Sequence, residues 1–246
     1  ILALDGIFGG ESLKTFSPFK PGTILNLYGS MLKTKDYVMA LAIIGLSYSL
    51  LMIYGMTSPF IIEHTYHFGP IVTGYSSLLS GVALMTGGII SKSIIHRPLD
   101  RKIPVVMGLQ AIFAIAMIAV SSFWLSNIYT LLVFVMLLNV GAGFIFNNLF
   151  SYALGRFHGH GGIVSGLTGG SLFVITSFFS YGSVNALSIK TQTTLAVAYL
   201  VFVLLGVIAF MLFQRYRYRG TAKLAGHEHP AAATAAPAVA EAMYTH

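Results

Sequence analysis

The sequence has no cysteine and very little charge. Without Cys there is no disulfide framework, no Cys-ligated zinc, no iron–sulfur cluster and no cysteine nucleophile. Asp and Glu number 7 and Lys and Arg 14 among 246 residues, so 9% of the chain is charged, against about 25% in soluble proteins. Charged side chains normally supply the cover of a soluble globule. Here 56% of the residues are hydrophobic and the mean hydropathy is +0.80, which excludes a soluble enzyme.

What is present is a series of long uncharged runs. Tyr37 to Ile62 carries no Asp, Glu, Lys or Arg over 26 residues, and His64 to Ser91 none over 28. A helix needs about 20 apolar residues to cross a bilayer. Ile103 to Gly155 is 53 residues long and is interrupted by Trp124-Leu125-Ser126-Asn127, so it reads as a helical hairpin. Phe157 to Ile189 and Thr191 to Gln214 supply one span each. The chain is therefore expected to be an all-α integral membrane protein with six transmembrane helices, at about residues 37–60, 69–92, 104–124, 128–153, 162–185 and 192–214.

The net charge of +7 follows this topology. With six spans, 13 of the 14 Lys and Arg fall on one side of the membrane and only Lys190 on the other. Cytoplasmic loops collect Lys and Arg, so both termini are expected in the cytoplasm. No basic stripe with interleaved aromatics is present, and no nucleic-acid partner is expected. Residues 1–35 read as a cytoplasmic linker or surface helix broken by Pro18, Pro21 and Gly22, 36–214 as the membrane bundle, and 215–246 as a disordered cytoplasmic tail, Ala-rich with Pro230 and Pro237. Ile1 is not a start methionine, and the sequence is expected to be truncated there.

Composition sorts the spans. Gly and Ser number 9 in the second (Gly69 to Ser91) and 10 in the fifth (Gly162 to Val184), but 3 in the third and 1 in the sixth. Small residues let membrane helices approach closely, so the second and fifth spans are expected to be packed and the third and sixth to face lipid. Gly162, Gly166 and Gly170 recur every fourth residue, a smooth face suited to packing or to sliding. In the fourth span Asn139, Gly143, Asn147 and Ser151 form another face, with Asn148 beside it. In the first, Ser47, Tyr54 and Ser58 share a face, Tyr48 and Ser49 lie near the bilayer centre, and Pro59 closes the helix. Interhelical hydrogen bonding and the lining of a substrate cavity are both open readings of these polar groups.

A family resemblance rests on these residues. Thr57-Ser58-Pro59-Phe60-Ile61-Ile62, then Phe68-Gly69-Pro70 and Gly74-Tyr75, resemble the seventh-to-eighth helix junction of the Bcr/CflA drug-resistance branch of the major facilitator superfamily. Asn139 to Asn148, Ala153-Leu154 and Gly161-Gly162-Ile163-Val164-Ser165-Gly166 with Gly169 resemble its tenth and eleventh helices, and Glu11-Ser12-Leu13 its central linker. Two features depart from the pattern. Asn147-Asn148 stands where Pro-Asn is common, and Lys92 stands where the Gly-x-x-x-Asp loop motif places its acid.

The resemblance implies the C-terminal half of a twelve-helix transporter of a bacterial-type inner (plasma) membrane, exchanging protons for drugs or small amphipathic metabolites by alternating access. Its first and fourth helices would line the cavity, with Ser47, Tyr48, Tyr54, Asn139, Gly143 and Asn147 as candidates. The second and fifth would meet the other half, with Gly162, Gly166 and Gly170 at the interface and Arg97 and Arg101 in a gating loop. The partners implied are an N-terminal six-helix half, the lipid bilayer, a small-molecule substrate and protons, with no cofactor. None of the six spans contains Asp or Glu; Asp36 and Glu63 lie at the ends of the first, where interfacial solvation is expected.

Other chemistry is thinly represented. His158-Gly159-His160 and His227-Glu228-His229 offer two His each without a fixed third ligand, so no metal site is expected. Ser165-Gly166 lacks the Gly-x-Ser-Gly context and a His base on the sixth span, and no enzymatic activity is expected. The structural alternative is a self-contained six-span protein acting as an oligomeric channel or scaffold.

Overall fold

The computed structural model describes residues 21–123, 126–157 and 161–242, without the side chains of 21, 23 and 218–242. Seven α-helices account for it: α1 (Pro21–Lys33), α2 (Lys35–Pro59), α3 (Pro70–Ser93), α4 (Leu99–Phe123), α5 (Ile128–Gly155), α6 (Gly161–Leu187) and α7 (Gln192–Ala242), and there is no strand among the described residues. Six stretches are long and apolar enough to cross a membrane: Lys35–Thr65, Pro70–Ser93, Leu99–Phe123, Ile128–Gly155, Gly161–Leu187 and Gln192–Arg217. The fold is thus that of a multi-pass membrane protein.

Local chemistry explains most of the boundaries. Asn127 caps α5 reciprocally: its side chain accepts from Thr130 N at 2.9 Å, and its own N–H donates to Thr130 Oγ1 at 3.3 Å. Pro70 opens α3, where a missing N–H leaves no helical bond unmade. Pro59 is the last residue of α2, as expected. The chain continues through a π-helical turn, Phe60–Thr65, in which Tyr66 N–H reaches Ile61 O at 3.1 Å. This wider turn follows the proline and lengthens the first span to 31 residues. The backbone of α7 runs as helix to Ala242; Ala is the strongest helix former.

α2 and α5 form the centre, with 61% and 56% of their apolar windows buried, whereas α3 and α4 bury 28% and α6 22%. α2 packs on α5, α6 and α7; α5 also packs on α3 and α4. Two apolar clusters result. One, toward the basic end, holds Tyr37, Ile44, Ile145 and Phe213; the other holds Ile53, Leu131, Leu195 and Tyr199.

The sorting by small residues needs correcting for two helices. The α6 face at Gly162, Gly166 and Gly170 is open, and a Cβ built at any of the three meets nothing within 4 Å. α7 is 44% buried rather than wholly lipid-facing, because Leu195, Tyr199, Phe202 and Phe213 turn inward while Val201, Leu204, Ile208 and Met211 turn out. A count of Gly and Ser registers how closely a helix can be approached; it carries no information about whether the approaching surface belongs to the same chain.

Candidate functional site

The polar face of α5 is the seam with α3. Asn139 Nδ2 donates to Ser80 Oγ at 3.0 Å and to Val135 O at 2.9 Å. One turn on, Gly143 lies so near α3 that a Cβ there would stand 1.9 Å from Leu84 O. Gly87 meets Val140 O in the same way from the other side. Asn147 Nδ2 donates to Gly88 O at 3.2 Å and Ser91 Oγ at 3.1 Å, and Asn148 Nδ2 to Ser91 Oγ at 2.7 Å. Asn139 and Gly143, expected on a cavity face, are therefore enclosed between two helices, and the half-buried Asn147 is engaged there too. The amides need partners in an apolar medium, and Ser80 and Ser91, about three turns apart on α3, supply them.

The Ser47, Tyr54 and Ser58 face also turns into the bundle. Ser47 borders a void of about 10 Å³ shared with Gln110, Phe202 and Gly206. Tyr54 is 1% exposed and Ser58 fully buried. The Tyr54 hydroxyl, the Ser58 hydroxyl and Asn139 Oδ1 are buried without a hydrogen-bonding protein partner. Ser76 neighbours the Tyr54 hydroxyl without completing a bond, and one turn along α3 Ser80 receives Asn139. Toward the same end Thr73 Oγ1 donates to Glu63 Oε1 at 3.0 Å. A run of polar side chains thus extends from Glu63 inward between α2, α3 and α5. Because its hydroxyl makes no bond, Tyr54→Phe is expected to leave thermal stability in detergent unchanged or slightly raised. A drop above about 1 kcal/mol, the worth of a typical hydrogen bond, would show that the hydroxyl is engaged.

Tyr48 is half-buried, packed at the edge of the apolar cluster toward the basic end. Its ring lies 5.6 Å from that of Phe146, which stacks on Phe150 at 5.3 Å, and Met56 along α2 is 47% exposed. Opposite its open Gly face, α6 binds α2 through Val164, Thr168, Leu172 and Thr176. There Thr168 Oγ1 and Tyr37 Oη share a 2.9 Å hydrogen bond, and Ile175 packs directly on Gly45.

Both ends are clasped by residues that the sequence left unassigned. Asp36 is 8% exposed, not solvated as expected. It accepts from Tyr152 Oη at 2.8 Å and from Arg156 Nε at 2.9 Å, and that bond raises the Arg156 pKa further. Arg217 lies over the Tyr152 ring and donates to both Asp100 oxygens, at 3.1 and 3.2 Å. At the other end Tyr66 Oη joins Ser126 and Gln192, and Thr65 Oγ1 reaches Lys190 O at 3.3 Å. Gln110, the lone amide of the third span, donates to Leu138 O at 2.9 Å across Gly141. Its isolation in an apolar run was the available signal. Arg97 and Arg101 are exposed and border a groove between α3 and α4.

No group of three or more His, Asp or Glu that could hold a metal occurs among the described residues. His158 and His160, Trp124 and Leu125, and Glu11-Ser12-Leu13 lie outside them, as do the side chains of His227 to His229. No protein-family profile and no curated protein sequence matches the chain.

Proposed function

We propose that the chain is one six-helix half of an alternating-access transporter of the major facilitator kind, moving amphipathic, mostly uncharged compounds out of the cell against a flow of protons. The observation that carries this reading is the two-sidedness of α6. One side binds α2, while the opposite side presents Gly162, Gly166 and Gly170 with open space before them. A second bundle could approach that smooth face closely and slide on it. The resemblance of the first, fourth and fifth spans to the Bcr/CflA branch supports the same partner, an N-terminal six-helix half. The half-buried Tyr48, Phe146 and Phe150 rings, in contact with one another, suit amphipathic substrates.

Between Tyr37 and Gln214 the only acids are Glu63 and Asp100. Asp100 is bound to Arg217 and Glu63 lies at a helix end, so the proton-carrying carboxylate belongs to the partner bundle. The basic surplus on one side supports both termini in the cytoplasm. The chain itself is a transport component, not an enzyme.

Reconstitution tests this. The chain alone in liposomes should show no proton-driven movement of a fluorescent amphipathic drug, and co-reconstitution with a six-helix partner should restore it. The pair should tolerate Glu63→Gln yet lose coupling when the partner's intramembrane carboxylate is neutralised. Gradient-driven transport by the chain alone would overturn the proposal in favour of a self-contained six-span oligomer.

A further inference from the structure

The groove between α3 and α4, floored by α5, encloses about 820 Å³, within the roughly 300–1,000 Å³ of ligand sites. Most of its wall is apolar and faces outward: Ile90 is 41% exposed, Val105 61%, Leu109 46% and Leu137 38%. Its basic end is different. His96, Arg97, Arg101 and Lys102 border it there. None of these four forms an ion pair among the described residues, since the neighbouring carboxylate, Asp100, is turned to Arg217 on α7. Lys102 is only 8% exposed, and its ammonium makes a single long bond, 3.4 Å to Ile94 O. An ammonium has three protons to donate, so this buried cation retains donor capacity that its single bond to Ile94 O leaves unused.

We infer that this groove binds one anionic phospholipid from the leaflet at the basic end, its phosphate held by Arg97, Arg101 and Lys102 and an acyl chain laid between α3 and α4. Length supports the assignment. From Arg101 to Phe113, both on the groove, α4 rises about 18 Å at 1.5 Å per residue, and one leaflet contributes roughly 15 Å of hydrocarbon. The cations therefore stand at headgroup depth when the apolar wall spans the acyl region. Basic pockets between membrane helices select anionic headgroups by this charge complementarity. The inference requires only the membrane-spanning fold and stands whether or not the chain is half of a transporter.

The test is lipid titration of the purified chain in detergent, read by native mass spectrometry, with phosphatidylglycerol and phosphatidylcholine of identical acyl chains. Phosphatidylglycerol should bind the more tightly, with a preference that falls as salt rises. Each cation contributes about fivefold, so Arg97→Gln with Arg101→Gln should cut the preference roughly twenty-five-fold, and adding Lys102→Gln should abolish it. Both arginines are exposed, so the double variant should fold even if the buried lysine proves sensitive. Val105→Trp, which fills the groove and spares the cations, should displace the lipid without weakening inorganic phosphate binding. Equal binding of the two lipids, full preference in the double variant, or inorganic phosphate binding as tightly as phosphatidylglycerol would overturn the assignment.

Discussion

Gly143→Ala is expected to destabilise the bundle severely, although it adds one methyl group. The added Cβ would lie 1.9 Å from Leu84 O and 2.8 Å from Leu84 C, and these are backbone atoms that cannot rotate aside. Gly87→Ala meets Val140 O at the same distance. Relief requires α3 and α5 to separate, which breaks the bonds of Asn139 to Ser80, of Asn147 to Gly88 O and Ser91, and of Asn148 to Ser91. Overpacking costs about 1–3 kcal/mol, and the four interhelical bonds at about 0.6 kcal/mol each add roughly 2 more. A loss of about 3–5 kcal/mol is a large share of a typical total of about 5–15 kcal/mol. Gly88→Ala, one residue away and facing open space, is the control and should leave the melting temperature unchanged. Equal stability of Gly143→Ala and Gly88→Ala would mean that the two helices do not meet as described.

Gly166→Leu should do the reverse, keeping the fold and abolishing transport. Nothing lies within 4 Å of a Cβ at this position, so the isolated chain has room for the side chain. In complex with a second bundle, a leucine would hold the backbones several ångströms apart and drug efflux should fall to background. Gly108→Leu, also in open space but on α4, should preserve both stability and transport. Gly206 is a poor control despite its place on the sixth span, because it is buried near Met107. If Gly166→Leu transports normally with its partner present, the α6 face is not where two halves meet.

These two glycines also mark the boundary of what a sequence can convey. Six spans were legible in the uncharged runs, because a bilayer imposes a length and a polarity on each helix independently of its neighbours. The turn before Ile128 was legible too, since Asn127 caps locally. Pro59 marked the end of the α-helix, but the π-helical turn Phe60–Thr65 that carries the span onward had no signal in the sequence.

By itself the sequence determined the class of protein, the number of spans and the clustering of basic residues at one end, all of which follow from composition summed along the chain. Only the tertiary structure decided which small face closes and which stays open. Gly143 and Gly166 recur in similar four-residue patterns, yet one is pressed on Leu84 and the other faces nothing. The same holds for the polar groups. Asn139 was legible as an amide in need of a partner, but that Ser80 provides it, and that Asp36 is buried against Tyr152 and Arg156, depends on residues 59 to 120 positions away. Helical periodicity assigns side chains to a common face, and the packing of helices distant in sequence determines what that face meets.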